Sequence, residues 1–373
     1  MNAIKSQRPI LVLAANTPWV YALTQALSVN TPVIALRLLD LPNYRRLKPL
    51  WPETASAVNR VSVVMPPGYA GTLELIFRPI MRTIIKYHQR RLRKLSGLDP
   101  LVIVPYPFLI PWVRHVSGDH LVYYNLDEYR FYQPHRTERV LGQEQELIAR
   151  AGLTICLSLH QVETLQARNP LHADKIRHFP LGVVEDFLNP EPERVPLPNS
   201  VGYVGNFSDR VDWEFVAAVA MLMPDVQFYF VGQRDAEADA VGWRAARKRA
   251  LAMPNVMYQG EVPQAEVREH YWRYSLNWMP YDTKHGFNIA SCPTKIMDAL
   301  ASGRPFISTD IPEVRQYAER VACVKSAEDA ATIISRLLRG EDAVNPVAQI
   351  DFARTQTWSK RAVEFYRLIG ERL

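Results

Sequence analysis

Short apolar runs rich in β-branched residues alternate with longer stretches of helical spacing along the whole chain. In the first half, runs at 10–14, 32–36, 61–65, 101–105, 121–125, 153–158 and 176–179 predict strands, and helical patterns separate most of them. The pattern then restarts. Strands are predicted at 200–204, 227–231, 255–258, 276–279, 304–308 and 321–325, and helices at 213–223, 264–274, 294–302, 312–319 and 327–338. Strand–helix alternation at this spacing implies mostly parallel sheets covered on both faces. Between the two series, 189–198 holds Pro190, Pro192, Pro196 and Pro198, which continue neither a helix nor a central strand. That stretch is the expected linker. The pattern thus divides into one doubly wound, Rossmann-like domain at 1–188, a second at 199–357, and a last helix at 358–373 that could pack on either. No fixed-period repeat or low-complexity tract interrupts it. Ligands of open α/β sheets sit beyond the carboxyl ends of the strands, so a cleft between two such units is the default site.

Composition narrows the class. The chain has 373 residues, 48% of them hydrophobic, enough for two sizeable cores. Three cysteines, Cys156, Cys292 and Cys323, supply neither a disulfide framework nor a zinc cage and suit a reducing compartment. No apolar run approaches the roughly 20 residues of a membrane helix. Lys5 and Arg8 precede an apolar run too short for a signal peptide, so a cytoplasmic location is expected. The net charge of +6 is unevenly spread: residues 1–186 hold 22 Lys+Arg against 14 Asp+Glu, and the remainder holds 22 against 24. A basic half can meet nucleic acid, an anionic membrane or an acidic substrate.

Three segments could carry chemistry. In Val201-Gly202-Tyr203-Val204-Gly205-Asn206-Phe207 a predicted strand runs into Gly205 and Asn206, where a ligand can approach bare backbone. A plain tight turn would read the same, and the dinucleotide fingerprint G-x-G-x-x-G is absent. In Phe230-Val231-Gly232-Gln233-Arg234 a second strand reaches glycine, and Arg234 is either a diphosphate contact or a surface arginine of the polar loop 234–239. The third segment, 281–305, passes from a polar loop into a helix that starts near Pro293 and closes at Gly303. Lys295 stands in the first turn, where acids are the rule, beside free helix N–H groups. Asp298 follows one turn later on the same face. A cation for phosphates and a carboxylate for a ribose diol would suit a nucleoside diphosphate; a solvated Lys and a surface Asp are the alternative.

The ordered series Tyr-Val-Gly-Asn, Phe-Val-Gly, Pro-Asn-Val with Gln-Gly-Glu-Val-Pro, Met-Pro-Tyr, Asn-Ile-Ala-Ser-Cys-Pro-Thr-Lys-Ile-Met-Asp-Ala-Leu-Ala-Ser-Gly-Arg-Pro and Ser-Thr-Asp-Ile-Pro-Glu resembles the donor domain of GT-B glycosyltransferases, most closely the bacterial exopolysaccharide and teichuronic-acid enzymes. It covers about 200–317; the N-terminal half fits the acceptor domain by pattern alone. The resemblance implies that Gly205 and Asn206 line the diphosphate and that Gly232 sits near the nucleotide. It places Glu261, Val262 and Pro263 beside the base. Ser291 and Cys292 would offer backbone N–H groups, Asn288 and His285 would stand in the donor loop, and Lys295 would neutralise phosphates. Asp298 falls where many relatives carry a ribose-binding Glu. Many retaining relatives have another Glu eight residues earlier, and here that residue is Ala290, which leaves the stereochemistry open. It further implies a metal-independent hexosyltransferase with no cofactor beyond a UDP- or GDP-linked sugar donor; no Asp-x-Asp occurs in the chain.

An inverting transfer needs a base for the acceptor hydroxyl. Asp127, after the strand 121–125, is the candidate and Glu128 the reserve, although Asp127 would equally suit a helix cap. Trp19 reads as core packing ahead of lining the acceptor side. Finally, 73–95 has helical spacing, with Ile76, Ile80, Ile84, His88 and Leu92 as one apolar row, widened by Met81 and Ile85, and with Arg78, Arg82, Lys86, Arg90, Arg91, Arg93 and Lys94 as seven cations with no acid between Arg78 and Lys94. Such a stripe suits an anionic membrane, at ~1 kcal/mol per nearby cation, and a lipid-linked acceptor met there. A core-packed helix with a solvated face is the alternative; no nucleic-acid motif accompanies it. The expectation is therefore a glycosyltransferase acting on a glycan or lipid-linked acceptor at the inner face of a bacterial membrane. An epimerase of nucleotide sugars on the same fold, or a non-catalytic polyanion-binding protein, are its rivals.

Overall fold

The computed structural model describes residues 7–41, 58–69, 71–132, 134–235, 241–342 and 344–373. Lys5 and loop positions 236–239 lie outside them. The chain divides into two compact units, Met1–Leu181 with Trp358–Leu373, and Gly182–Thr357.

The first unit is a seven-stranded parallel sheet: β1 (Ile10–Val12), β2 (Val33–Asp40), β3 (Asn59–Met65), β4 (Leu101–Val104), β5 (Leu121–Asn125), β6 (Leu153–Cys156) and β7 (Ile176–His178), in the order β3-β2-β1-β4-β5-β6-β7. The chain starts in the middle, winds to one edge, and returns through β4 to wind to the other. The central strands β1, β4, β5 and β6 are buried at every residue, which is why they read as unbroken apolar runs rather than as alternation. The last helix, Trp358–Arg372, belongs to this unit: Phe365 meets Phe179 with ring centroids 6.1 Å apart, and the Tyr366 hydroxyl donates to the Leu27 carbonyl at 3.0 Å.

The second unit is a six-stranded parallel sheet with β8 (Leu197–Val204), β9 (Gln227–Val231), β10 (Val256–Gly260), β11 (Tyr274–Met279), β12 (Phe306–Thr309) and β13 (Ala322–Val324), ordered β10-β9-β8-β11-β12-β13. The winding reverses between β8 and β11, so their carboxyl ends flank the switch point. All thirteen expected strands are present. The expected helices are present too, shortened at 267–273 and 312–315.

The sequence reading differs from the structure at several places. The proline-rich stretch 189–198 lies inside the second unit. The Arg304 guanidinium donates to the carbonyls of Pro192 (3.2 Å) and Arg194 (2.5 Å), and the Asn189 side chain donates to the Ser302 carbonyl at 2.9 Å. Proline removes N–H donors but leaves carbonyls, and a buried arginine collects them. The helix Trp243–Leu251 went unread because its cations hide the apolar face. One of them, Arg247, is fully buried, donating to the Phe207 carbonyl (2.6 Å) and pairing with Asp235 (2.5 Å). The helix Pro346–Arg354 went unread as well.

Helix Glu74–Ser96 buries Met81, Ile85, His88 and Leu92, four residues of the expected apolar face, but not Ile76 and Ile80 of its i, i+4 row. That row stepped by four residues throughout, and each such step drifts about 40° on a 3.6-residue helix. The buried row steps by four, three and four and stays on one side. Ile76 and Ile80 are consequently exposed among the cations, at 68% and 47%. Trp19, expected in the core, is 36% exposed at the start of helix Pro18–Ser28.

Candidate functional site

In the second unit β8 ends at Val204 and the backbone turns at Gly205, whose φ of +150° disfavours any side chain. Gly205 N–H donates to the Val231 carbonyl at 2.8 Å, and Gly232 N–H donates to that of Gly260 at 2.8 Å. The two glycines are in contact: a Cβ on Gly232 would collide with the Gly205 carbonyl, and one on Gly205 would collide with the end of the Lys295 side chain. Two bare backbone turns from neighbouring strands and one ammonium group thus occupy a single corner of the sheet edge.

Lys295 reaches this corner as the second residue of helix Thr294–Ala301. No side chain caps that helix, and its first turn holds no acid. Its free N–H groups and Lys295 therefore present positive charge together. The Lys295 ammonium lies 5.5 Å from the ring centre of Tyr203 and 5.7 Å from that of Tyr281, and these aromatic faces support it. Burial drives the Tyr281 hydroxyl up, but the charges of Lys295 and Arg210 and hydrogen bonds with Lys295 and Tyr203 outweigh it, leaving the phenol below its ordinary value. Tyr203 is held well above its own by burial and by Tyr281, against the pull of Arg210. Asp298, one turn below, is pushed up to about 7 by burial, against the pull of Lys295 and a hydrogen bond with Thr294.

Arg210 is the residue the sequence reading missed. The loop after β8 pairs with the loop after β11: Val211 bridges Tyr281, Asp212 N–H donates to the Pro280 carbonyl (2.9 Å), and Asp282 N–H donates to the Arg210 carbonyl (2.9 Å). This pairing carries Arg210 to the Lys295 side of the edge, with its guanidinium 5.3 Å from the Tyr281 ring. Its Nε donates to Asn288 Oδ1 at 2.8 Å and its Nη2 to Ser291 Oγ at 2.9 Å. The available signal was slight: Arg210 is the only basic residue between Gly205 and the helix at Trp213.

Asn288 and Ser291 thus both hold Arg210 through their side chains. Asn288 is fully buried, with Oδ1 accepting from Arg210 and Nδ2 donating to the carbonyls of Arg210 (2.8 Å) and Asp282 (2.9 Å). It presents nothing to a ligand; it holds Arg210. The surrounding loop is partly helical, over Gly286–Ala290, where a polar loop was expected. Ser291 and Cys292 connect this turn to the next helix. His285 Nε2 lies 3.5 Å from Asp209 and its ring stacks on Phe287. At the β9–β10 side, Asn206, Arg234, Glu261 and Pro263 are exposed, while Val262 packs on the core. Arg234 stacks over Tyr258 at 5.0 Å.

The remaining candidates belong to the first unit. Asp127 follows β5, its Oδ1 accepting from Glu128 N–H and its Oδ2 from the Tyr132 hydroxyl, both at 2.9 Å. It is partly exposed. Glu128, the reserve base, is 5% exposed and pinned by Arg168 at 3.1 Å and Arg130 at 3.5 Å, so it is occupied as an ion-pair anchor. Beneath it Glu144, buried, is pushed up to about 7 by burial, with Tyr123 and Asn125 hydrogen-bonded to it. Among the described residues no cluster of three His, Cys, Asp or Glu side chains could hold a metal.

Residues 198–340 match the family described as Glycosyl transferases group 1. The chain is 22% identical over 239 residues to the putative teichuronic acid biosynthesis glycosyltransferase TuaH of Bacillus subtilis, a match spanning 60% of this chain and 58% of that protein's length. Among solved structures it is similar to sucrose-phosphate synthase of Thermosynechococcus elongatus (TM-score 0.71, 17% identity, 98% and 99% of the two chains). It is similar too to HepE of Anabaena in complex with UDP and glucose (TM-score 0.67, 13% identity, 98% and 100%). The lipopolysaccharide outer core galactosyltransferase WaaB, in its apo form, also resembles it (TM-score 0.64, 14% identity, 98% and 100%). At these identities the likeness is one of fold, and the fold is GT-B.

Proposed function

We propose that this chain, which carries a group 1 glycosyl transferase domain on a GT-B fold, moves a sugar from a nucleoside diphosphate sugar to a hydroxyl of a glycan or lipid-linked acceptor. The observation that carries this reading is the convergence of Lys295, from a helix start, and Arg210, from the loop after β8, at the glycine-bared edge of β8 and β9. When the bond from the anomeric carbon to the β-phosphate oxygen breaks, negative charge grows on that phosphate. Two cations and an uncapped helix start stabilise the charge without rearranging. The missing side chain at Gly232 lets the two turns meet and that at Gly205 admits the Lys295 ammonium, which together form the diphosphate corner, and the base would lie towards Glu261 and Pro263. A nucleotide-sugar donor is supported by the HepE structures with UDP and with UDP-glucose.

The acceptor oxygen then bonds to the anomeric carbon and gives up its proton. Asp127 is the group in the first unit best suited to take it, since Glu128 is tied in ion pairs. A role in bacterial surface polysaccharide synthesis follows the names of TuaH and WaaB. Among the described residues no helix is long and apolar enough to cross a membrane. Attachment to an anionic membrane face would fall to helix Glu74–Ser96, which exposes Leu75, Ile76 and Ile80 beside its cations.

The test is a panel of nucleotide sugars, scored for binding and hydrolysis, followed by product analysis with a labelled donor. Release of free nucleoside diphosphate with the labelled sugar on a glycan, or set free by transfer to water, is expected. A free isomerised nucleotide sugar would show an epimerase instead, and absence of any nucleotide binding would leave only a polyanion-binding protein.

A further inference from the structure

Away from the strand edge that bears Asp127, the first unit holds a second recess. It opens at the amino-terminal ends of β4 and β5, beside Pro100 and the Gly118–His120 turn. Its volume is about 320 Å³. Lys86, Arg90 and Arg93 of helix Glu74–Ser96 form one wall, and His115 and His120 stand among the residues of the other. Spacings of four and three place the three cations on one helix face. Arg93 pairs with Asp99 at 3.3 Å, whereas Lys86 and Arg90 form no ion pair among the described residues. His115 Nε2 is buried without a hydrogen-bond partner among them. Burial, with the charges of Arg82 and Lys86, holds that ring down at about 4, so it stands neutral beside two cations. Arg8 adds charge behind the recess, fixed by the carbonyls of Asp99 (3.1 Å) and Asp119 (2.9 Å) and by contact with His120 Nδ1.

Like charges gathered around a water-accessible cavity repel one another, and a bound anion relieves the repulsion while satisfying their donors. A guanidinium fork, an ammonium and an imidazole N–H at different heights suit tetrahedral oxygens better than a planar carboxylate. We propose that this recess binds a phosphate group, as a monoester or diester, through Lys86, Arg90 and His115. The site lies at the opposite edge of the sheet from Asp127 and does not depend on the sugar-transfer reading. The phosphate could belong to a soluble phosphoester or to a lipid headgroup.

The experiment titrates the full chain with inorganic phosphate and with glycerol 3-phosphate by calorimetry. In parallel it floats the chain with vesicles of phosphatidylcholine alone or mixed with phosphatidylglycerol. Arg90→Gln and Lys86→Gln, both at exposed positions, are expected to weaken binding about tenfold or more, and Arg139→Gln, an exposed cation elsewhere in the unit, to leave it unchanged. Loss in the soluble arm assigns a soluble phosphoester. Binding confined to phosphatidylglycerol vesicles and lost in Arg90→Gln assigns a headgroup. Failure of every probe to bind, or binding indifferent to both recess variants, overturns the proposal.

Discussion

The two units share one winding plan and oppose each other in charge at the level of residues. The first holds 26 Lys+Arg against 14 Asp+Glu, and the second 18 against 24. Their strand edges reverse that order. The basic unit carries carboxylates after β5, with Asp127 and Glu128 above the buried Glu144. The acidic unit carries glycines and cations after β8, β9 and β11, with Gly205, Gly232, Arg210 and Lys295. Net charge is set by scattered surface side chains that water and salt screen, whereas a site is set by the few groups held against low-dielectric walls. Bulk charge thus pointed to one helix face and said nothing of either strand edge.

The sharpest way to break this contrast is to neutralise one group at each edge. Asp127→Asn is expected to lower sugar transfer by roughly 10²–10⁴-fold with donor affinity retained; full turnover in that variant would remove the carboxylate edge from the chemistry. Lys295→Ala is expected to lower kcat by roughly 10²–10³-fold, and unchanged turnover would discard the cationic edge. Asn288→Ala tests support rather than contact. It frees Arg210, and nucleoside diphosphate affinity should fall about tenfold, with Arg210→Gln adding little further; two independent losses would show that Asn288 acts otherwise. On the helix, Lys94→Gln should weaken binding to anionic vesicles about fivefold and leave nucleotide affinity alone, which separates surface charge from edge charge. The smallest effect concerns pH. Asp298 is held protonated up to about 7 in the folded chain, while in the unfolded chain it ionises near its ordinary value. Stability should therefore fall as pH rises from about 4 to about 7. Asp298→Asn should flatten that slope in chemical denaturation; an unaltered slope would mean that Asp298 ionises normally.

Much of this was legible from the residues in order. Central strands buried on both faces write themselves as apolar runs, so the thirteen strands and the doubly wound class followed from local pattern. Glycines at strand ends and a lysine in a first helical turn stood out because each breaks a local rule. Helix Trp243–Leu251 stayed hidden because Arg247 occupies a core position as a charge paired with Asp235, and pattern reading counts charge as surface. The 189–198 stretch misled because proline reports a loss of donors, while the partner that ties its carbonyls, Arg304, is more than a hundred residues away.

The sequence by itself determined most of the elements, the two sheets and Gly205, Gly232 and Lys295 as singular positions, since each of those depends on spacing within one strand–turn–helix unit at a time; that the three meet was decided by the fold. Tertiary structure alone decided that Arg210 joins Lys295, that Asn288 serves Arg210, that Glu128 is tied to Arg168, and that Lys86 and Arg90 share a recess with His115. Each of these is a contact between segments far apart in the chain, and such contacts are chosen by burial and hydrogen-bond satisfaction in three dimensions, which leave no period in the sequence.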